Sequence, residues 1–284
     1  DIDRGGVFAS LAGTMLLFEE EEKQRVKGFV INKFRGDIGL LQSGLTMIED
    51  ITGVPVLGVV PYMRVDIDDE DSLSERLTGY SENSLIDIAV IRLPRISNFT
   101  DFNIFSLING VSLRYVSCAK ELSHPDMIII PGTKNTIGDL KWLRQSGLET
   151  RIIRYANDGG AVFGVCGGYQ MLGKEINDPE NVEGGGTVKG LGLLNTITDF
   201  SSEKTTVRSS GRINNLDGFY SRLSGLKVNG YEIHMGNSKI IEGSPMNTLN
   251  SKIDGCVNNN VAGSYLHGIF DNSEVAGILA EILA

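Results

Sequence analysis

The chain has 284 residues, 41% of them hydrophobic, a formal net charge of −10 and only three histidines. That length suits one large domain or two ordinary ones, and the acidic balance argues against nonspecific binding to nucleic acid. No apolar run is long enough to cross a bilayer and no charged, apolar leader is seen, so a cytoplasmic chain with neither membrane nor nucleic-acid partners is expected.

The chain opens Asp1-Ile2-Asp3-Arg4-Gly5-Gly6. Two carboxylates ahead of a glycine loop suit Mg²⁺ near nucleotide phosphates. A solvated acidic terminus accounts for them equally well. No G-x-x-x-x-G-K-[ST] phosphate loop occurs anywhere in the chain. Residues Val26 to Phe34 read as a buried strand. Leu41, Leu45, Ile48 and Ile51 then recur at helical spacing, with Gly53 where a helix should stop. A second apolar strand runs to Pro61. Strand, helix and strand predict a βαβ unit with a parallel sheet.

From Met63 to Ser84 the chain is acidic and weakly periodic, and a surface helix plus linker is expected there. The domain boundary is placed near residue 82, giving domains 1–82 and 83–284. "IDIAVIRL", "VSLRYV", "PDMIIIPG" and "GGAVFGV" predict the strands of a second α/β unit, with helices in "TIGDLKWLRQSG" and "ETRIIRYANDG". Beyond Gly184 the pattern turns glycine- and β-rich, and it closes on the helix "SEVAGILAEILA".

The chemistry gathers at Gly164-Val165-Cys166-Gly167-Gly168, where an apolar strand meets a helical pattern. This is a nucleophile elbow with cysteine in place of serine. The turn is tight, so its neighbours must be small. The thiol would face a helix start that favours thiolate, and the N–H of Gly167 would stabilise an oxyanion. Cys118, Cys166 and Cys256 are too scattered for a disulfide framework or a zinc site. Of the histidines, His267 in "GSYLHGIFDN" follows the elbow at a strand end and is favoured as base. His234 in "GYEIHMG" is the rival, and His124 is expected to be exposed or structural. The loop Pro131-Gly132-Thr133-Lys134-Asn135 ends a strand before a helix with Thr136 as the expected N-cap. Gly132 could bring a second oxyanion N–H, or the loop could be an ordinary turn.

The runs "DIDRGGVFASLAGT", "GFVINKFRGD", "PVLGVVPY", "RISNFTDF", "PGTKNTIGDLKWLR", "GVCGGYQMLG", "GYEIHMG" and "YLHGIFD" occur in this order. Together they resemble the cobyric acid synthase family, glutamine-dependent amidotransferases of cobalamin biosynthesis. The resemblance implies the C-terminal part of a dethiobiotin-synthetase-like phosphate-loop α/β domain, entered after that loop. A class I glutaminase domain of flavodoxin-like α/β fold would follow. It implies Cys166 as nucleophile and His267 as its partner, with glutamine as ammonia donor. It further implies ATP and Mg²⁺ in the intact enzyme, with Asp1 and Asp3 toward the metal. The substrate would be a corrinoid, amidated on its b, d, e and g carboxylates. Class I glutaminases usually carry His-x-Glu, but Ile269 stands where the Glu would be, so a Cys–His dyad is implied.

"NFTDF" reads either as a corrinoid or interface contact or as a packed turn with Phe99 and Phe102 in a core. A glutaminase module of a related ligase and a decayed, non-enzymatic binding module remain as other readings. The oligomeric state is not legible, and a homodimer is left open.

Overall fold

The computed structural model describes residues 2, 5–63 and 84–284. Asp1 and Asp3, residues 64–83 of the helix and linker expected over Met63 to Ser84, and the boundary near residue 82 lie outside the described residues. The chain divides into two compact units, Asp1–Ile67 and Asp68–Ala284.

In the first unit, α1 (Val7–Leu17) and the short α2 (Glu20–Lys23) precede β1 (Phe29–Phe34), α3 (Ile38–Thr52) and β2 (Val56–Pro61). β1 and β2 pair in parallel, as the βαβ pattern predicts. Asp37 caps α3 by accepting from the Gly39 N–H at 2.8 Å. Gly53 ends it at φ 68°, a left-handed conformation that glycine adopts without strain. Met15, Phe29, Ile48 and Val54 form the core. The expected burial holds in part only. Val30 and Ile51 are exposed, because β1 alternates its side chains and α3 turns only the Leu45–Ile48 stripe inward.

The second unit holds two six-stranded sheets. Its first strands are β3 (Ile86–Ile91), β4 (Val111–Val116), β5 (Met127–Ile130) and β6 (Ala161–Val165). Between them lie α4 (Ala119–Leu122), α5 (Thr136–Gln145) and α6 (Leu148–Asn157), and α7 (Gly167–Leu172) follows β6. β7 (Glu175–Asp178), β8 (Gly186–Lys189), β9 (Asn195–Ile213) and β10 (Lys227–Glu242) come next. The chain closes with β11 (Asn247–Leu249), β12 (Lys252–Asp254), β13 (Cys256–Asn258), β14 (Val261–Ser264) and α8 (Ser273–Leu283).

The central sheet runs β13-β14-β6-β5-β3-β4, parallel throughout except for β13. Its parallel strands follow the order second, first, third, fourth, fifth. In such sheets the chain reverses direction between the first and third strands, and ligands gather at the carboxyl ends there. The strands are apolar on both faces, as helix-covered parallel strands must be: all residues of β5 and β6 are buried. Phe163 and Phe270 stack edge-on at 5.0 Å, and Phe105 packs on Phe270 at 5.1 Å.

The second sheet runs β12-β11-β9-β7-β8, with β10 pairing β9 along almost its whole length. The pairing slips twice, and the larger slip lies between Met235 and Asn237. Met235 opposes Lys204, yet Asn237 opposes Asp199. Extra residues on one strand bend it and re-aim its side chains. At the slip Gly236 has φ 88°, and a Cβ there would sit 2.5 Å from the Phe200 ring.

Candidate active site

Cys166 stands at the corner between β6 and α7 with φ 51° and ψ −109°. A non-glycine residue held at positive φ is strained, and close packing around the corner holds it there. A Cβ on Gly168 would lie 1.9 Å from the Ile130 carbonyl oxygen, and one on Gly164 would lie 2.7 Å from the Gly168 carbonyl carbon. The glycines of the elbow are therefore required by contact between β5, β6 and α7. A Cβ on Gly167 would come 3.3 Å from the Thr133 amide nitrogen, so the Gly167 and Thr133 backbones border one small space beside the thiol. α7 has only six residues. Any positive potential at the thiol therefore comes from first-turn N–H groups.

His267 follows β14 and is buried, with its Nδ1 2.7 Å from Asp101 Oδ2. Its ring stacks on Tyr231 at 5.2 Å. The two residues also exchange backbone bonds, His267 N–H to Tyr231 O at 2.9 Å and Tyr231 N–H to His267 O at 3.2 Å. Gly132 lies close to the ring, where a Cβ would stand 2.8 Å from His267 Cε1. Nε2 is buried without a hydrogen-bond partner. Burial works against the charged ring. The Asp101 hydrogen bond and the neighbouring Cys166 side chain outweigh it and push the imidazole up to about 10.

Asp101 is the group that orients the imidazole, which the implied Cys–His pair had left open. It comes from the turn after β3, in "NFTDF", where Phe99, Phe102 and Phe105 are buried beneath it. That segment is thus a packed turn, as one of its two readings held, and it also delivers a carboxylate to the histidine. Position 269 cannot do so, because Ile269 is buried in the core. The sequence signal was an acidic residue among aromatics, and only the fold brings it to His267 across 166 positions.

Asn135, not Thr136, caps α5, accepting from the Gly138 N–H at 2.6 Å. The Thr136 hydroxyl instead donates to Gln170 Oε1 at 3.0 Å. Gln170 Nε2 then donates to Met235 O at 3.0 Å and to the Tyr265 hydroxyl at 3.2 Å, tying α7 to β10. Asp139, fully buried, accepts from Thr133 Oγ1 at 2.6 Å and pairs with Arg95 at 2.9 Å, which fixes the Gly132 loop.

A cavity of about 390 Å³ opens on Cys166, with Gly167, Gln170, Glu183, Lys204 and His234 among its walls. His234 stacks on Tyr265 at 3.8 Å and binds Gly236 O through Nδ1 at 3.0 Å. Its Nε2 lies 3.6 Å from Glu232, and no carboxylate backs its Nδ1 as Asp101 backs His267. His124 is exposed, as expected. The Cys256 thiol is pushed up to about 11 by burial.

Residues 87–275 match the family described as CobB/CobQ-like glutamine amidotransferase domain. The chain is 55% identical over 293 residues to the cobyric acid synthase of Ruminiclostridium cellulolyticum, an alignment covering 100% of this chain and 56% of that protein. It is 50% identical over 302 residues to the cobyric acid synthase of Lachnoclostridium phytofermentans, covering 100% of this chain and 58% of that one. The chain thus spans little more than half the length of these relatives. Its fold is similar to that of PurLQS from Thermotoga maritima, with a TM-score of 0.54 and 18% identity over 70% of this chain and 99% of the other. A solved glutamine amidotransferase gives a TM-score of 0.51 and 17% identity over 69% and 98% of the two chains. The family match over most of its residues places the chain among the CobB/CobQ-like glutamine amidotransferases.

Proposed function

We propose that residues 83–284 form a glutaminase domain in which Cys166 is the nucleophile and His267 its acid–base partner. The observation that carries this reading is a buried His267, held through Nδ1 by Asp101, whose imidazole Asp101 and the neighbouring Cys166 together push up. Cys166 gives its proton to Nε2 and attacks the side-chain carbonyl carbon of glutamine. N–H groups of Gly167 and of the Gly132 loop receive the oxyanion. The C–N bond breaks as His267 returns the proton to the leaving ammonia, and a γ-glutamyl thioester remains. A water then loses a proton to His267 and attacks the thioester. Glutamate leaves, and the thiol is restored.

In the whole protein, this ammonia would amidate the b, d, e and g carboxylates of a corrinoid a,c-diamide. The supporting fact is similarity to cobyric acid synthases along the entire chain. ATP would supply the activation of those carboxylates as acyl phosphates. Residues 1–82 would belong to the synthetase half, with Asp1 and Asp3 proposed toward Mg²⁺.

Glutamate release from glutamine tests the glutaminase reading. Cys166→Ala is expected to abolish it, and His267→Ala to lower kcat by about 10² to 10⁴. Full activity in Cys166→Ala removes the nucleophile assignment. A loss in His234→Ala with none in His267→Ala would move the base to His234.

A further inference from the structure

We propose that the Cys166 cavity has a charged rim that reads the free α-end of glutamine, with Glu183 taking the α-ammonium and Lys204 the α-carboxylate. The assignment rests on the glutaminase reading and adds the groups that would choose a free amino acid over other primary amides. Chemistry at the thiol involves only the side-chain amide. A peptide-bound or acylated glutamine presents the same amide, so discrimination must come from groups set back from Cys166 that recognise the two α-charges.

Glu183 lies in the turn between β7 and β8, half-buried on the cavity wall. Its Oε2 accepts from the Ile137 N–H at 2.8 Å, which fixes the carboxylate at the start of α5. Burial pushes this carboxyl up, and Asp178 and Asp139 add to the effect. Among the described residues no cationic side chain pairs with it. A carboxylate facing a cavity under those conditions is relieved by an incoming cation, and a primary ammonium has the charge and donors to do it.

Lys204 reaches the same cavity from β9. It pairs with Met235, whose carbonyl holds Gln170, at the last position before the register slip. Glu183 and Lys204, from two separate elements, thus place opposite charges on the wall of the cavity that also holds Cys166 and Gly167. A zwitterion with a polar side chain complements that arrangement.

The test is calorimetric titration of the full chain carrying Cys166→Ala with L-glutamine, Nα-acetyl-L-glutamine and L-glutaminamide. Adding Glu183→Gln is expected to weaken L-glutamine about tenfold and to leave Nα-acetyl-L-glutamine unchanged. Lys204→Met is expected to weaken L-glutamine and leave L-glutaminamide unchanged. Glu183→Gln keeps an acceptor for the Ile137 N–H and removes an uncompensated carboxylate, so its melting temperature should hold or rise. The proposal is overturned by unaltered L-glutamine affinity in either variant, by parallel loss for all three ligands, by a lowered melting temperature, or by no L-glutamine binding at all. The glutaminase reading fails separately, if the chain with Cys166 intact releases no glutamate while its Cys166→Ala form binds glutamine.

Discussion

His267 is held by the Asp101 carboxylate, the Tyr231 ring and the Gly132 backbone. Asp101→Asn keeps the size of the side chain but loses the charge that supports an imidazolium. Glutamate release should fall about a hundredfold, with KM for glutamine much less affected. The same pair predicts a pH dependence of stability. The folded-state value of His267, about 10, lies above its ordinary 6.5. Its contribution is therefore fully present below pH 6.5 and is lost as pH rises through about 10. Melting temperature should decline over that window, and the decline should be shallower in Asp101→Asn. An equal slope in both proteins would show that other groups set the profile.

At the scale of elements, the elbow depends on how closely α7 approaches β5. Gly168→Ala forces a methyl group against the Ile130 carbonyl, and a loss of about 3 kcal/mol in a denaturant titration is expected. Gly277 in α8 is the counter-case, because a Cβ there meets nothing within 4 Å. Gly277→Ala should raise stability by about 0.5–1 kcal/mol through helix propensity alone. The contrast separates a glycine that contact requires from one that is tolerated. The run Cys166-Gly167-Gly168 signalled the first kind, since a nucleophile elbow needs small neighbours. Nothing in the pattern around Gly277 pointed to a packing demand, and none exists.

Across the molecule, the residues assigned to the site lie in the second unit: Asp101 after β3, Gly132 after β5, Gly167 after β6, Lys204 on β9 and His267 after β14. Asp101 and Gly132 follow the two strands that flank the switch point, and Cys166 follows the next strand along, so residues far apart in sequence meet at the carboxyl ends of the sheet. A chain of residues 84–284 made alone is accordingly expected to unfold in one cooperative transition and to release glutamate at the parent's rate. Loss of activity in a folded fragment would show that the first unit supplies part of the site. No helix among the described residues is long and apolar enough to cross a membrane.

The sequence by itself determined the α/β class, the β1-α3-β2 unit, the strands β3 to β6 and the cysteine at its elbow, and it favoured His267 over His234. These rest on local signals: periodicity, glycine spacing and the identity of neighbouring residues. Only the tertiary structure decided the partner of that histidine, the cap of α5 and the charges on the cavity rim. Asp101, Glu183 and Lys204 sit in segments whose local patterns report packing or solvent exposure. Their meeting depends on strand order and sheet pairing, which are properties of the whole fold and not of any short stretch.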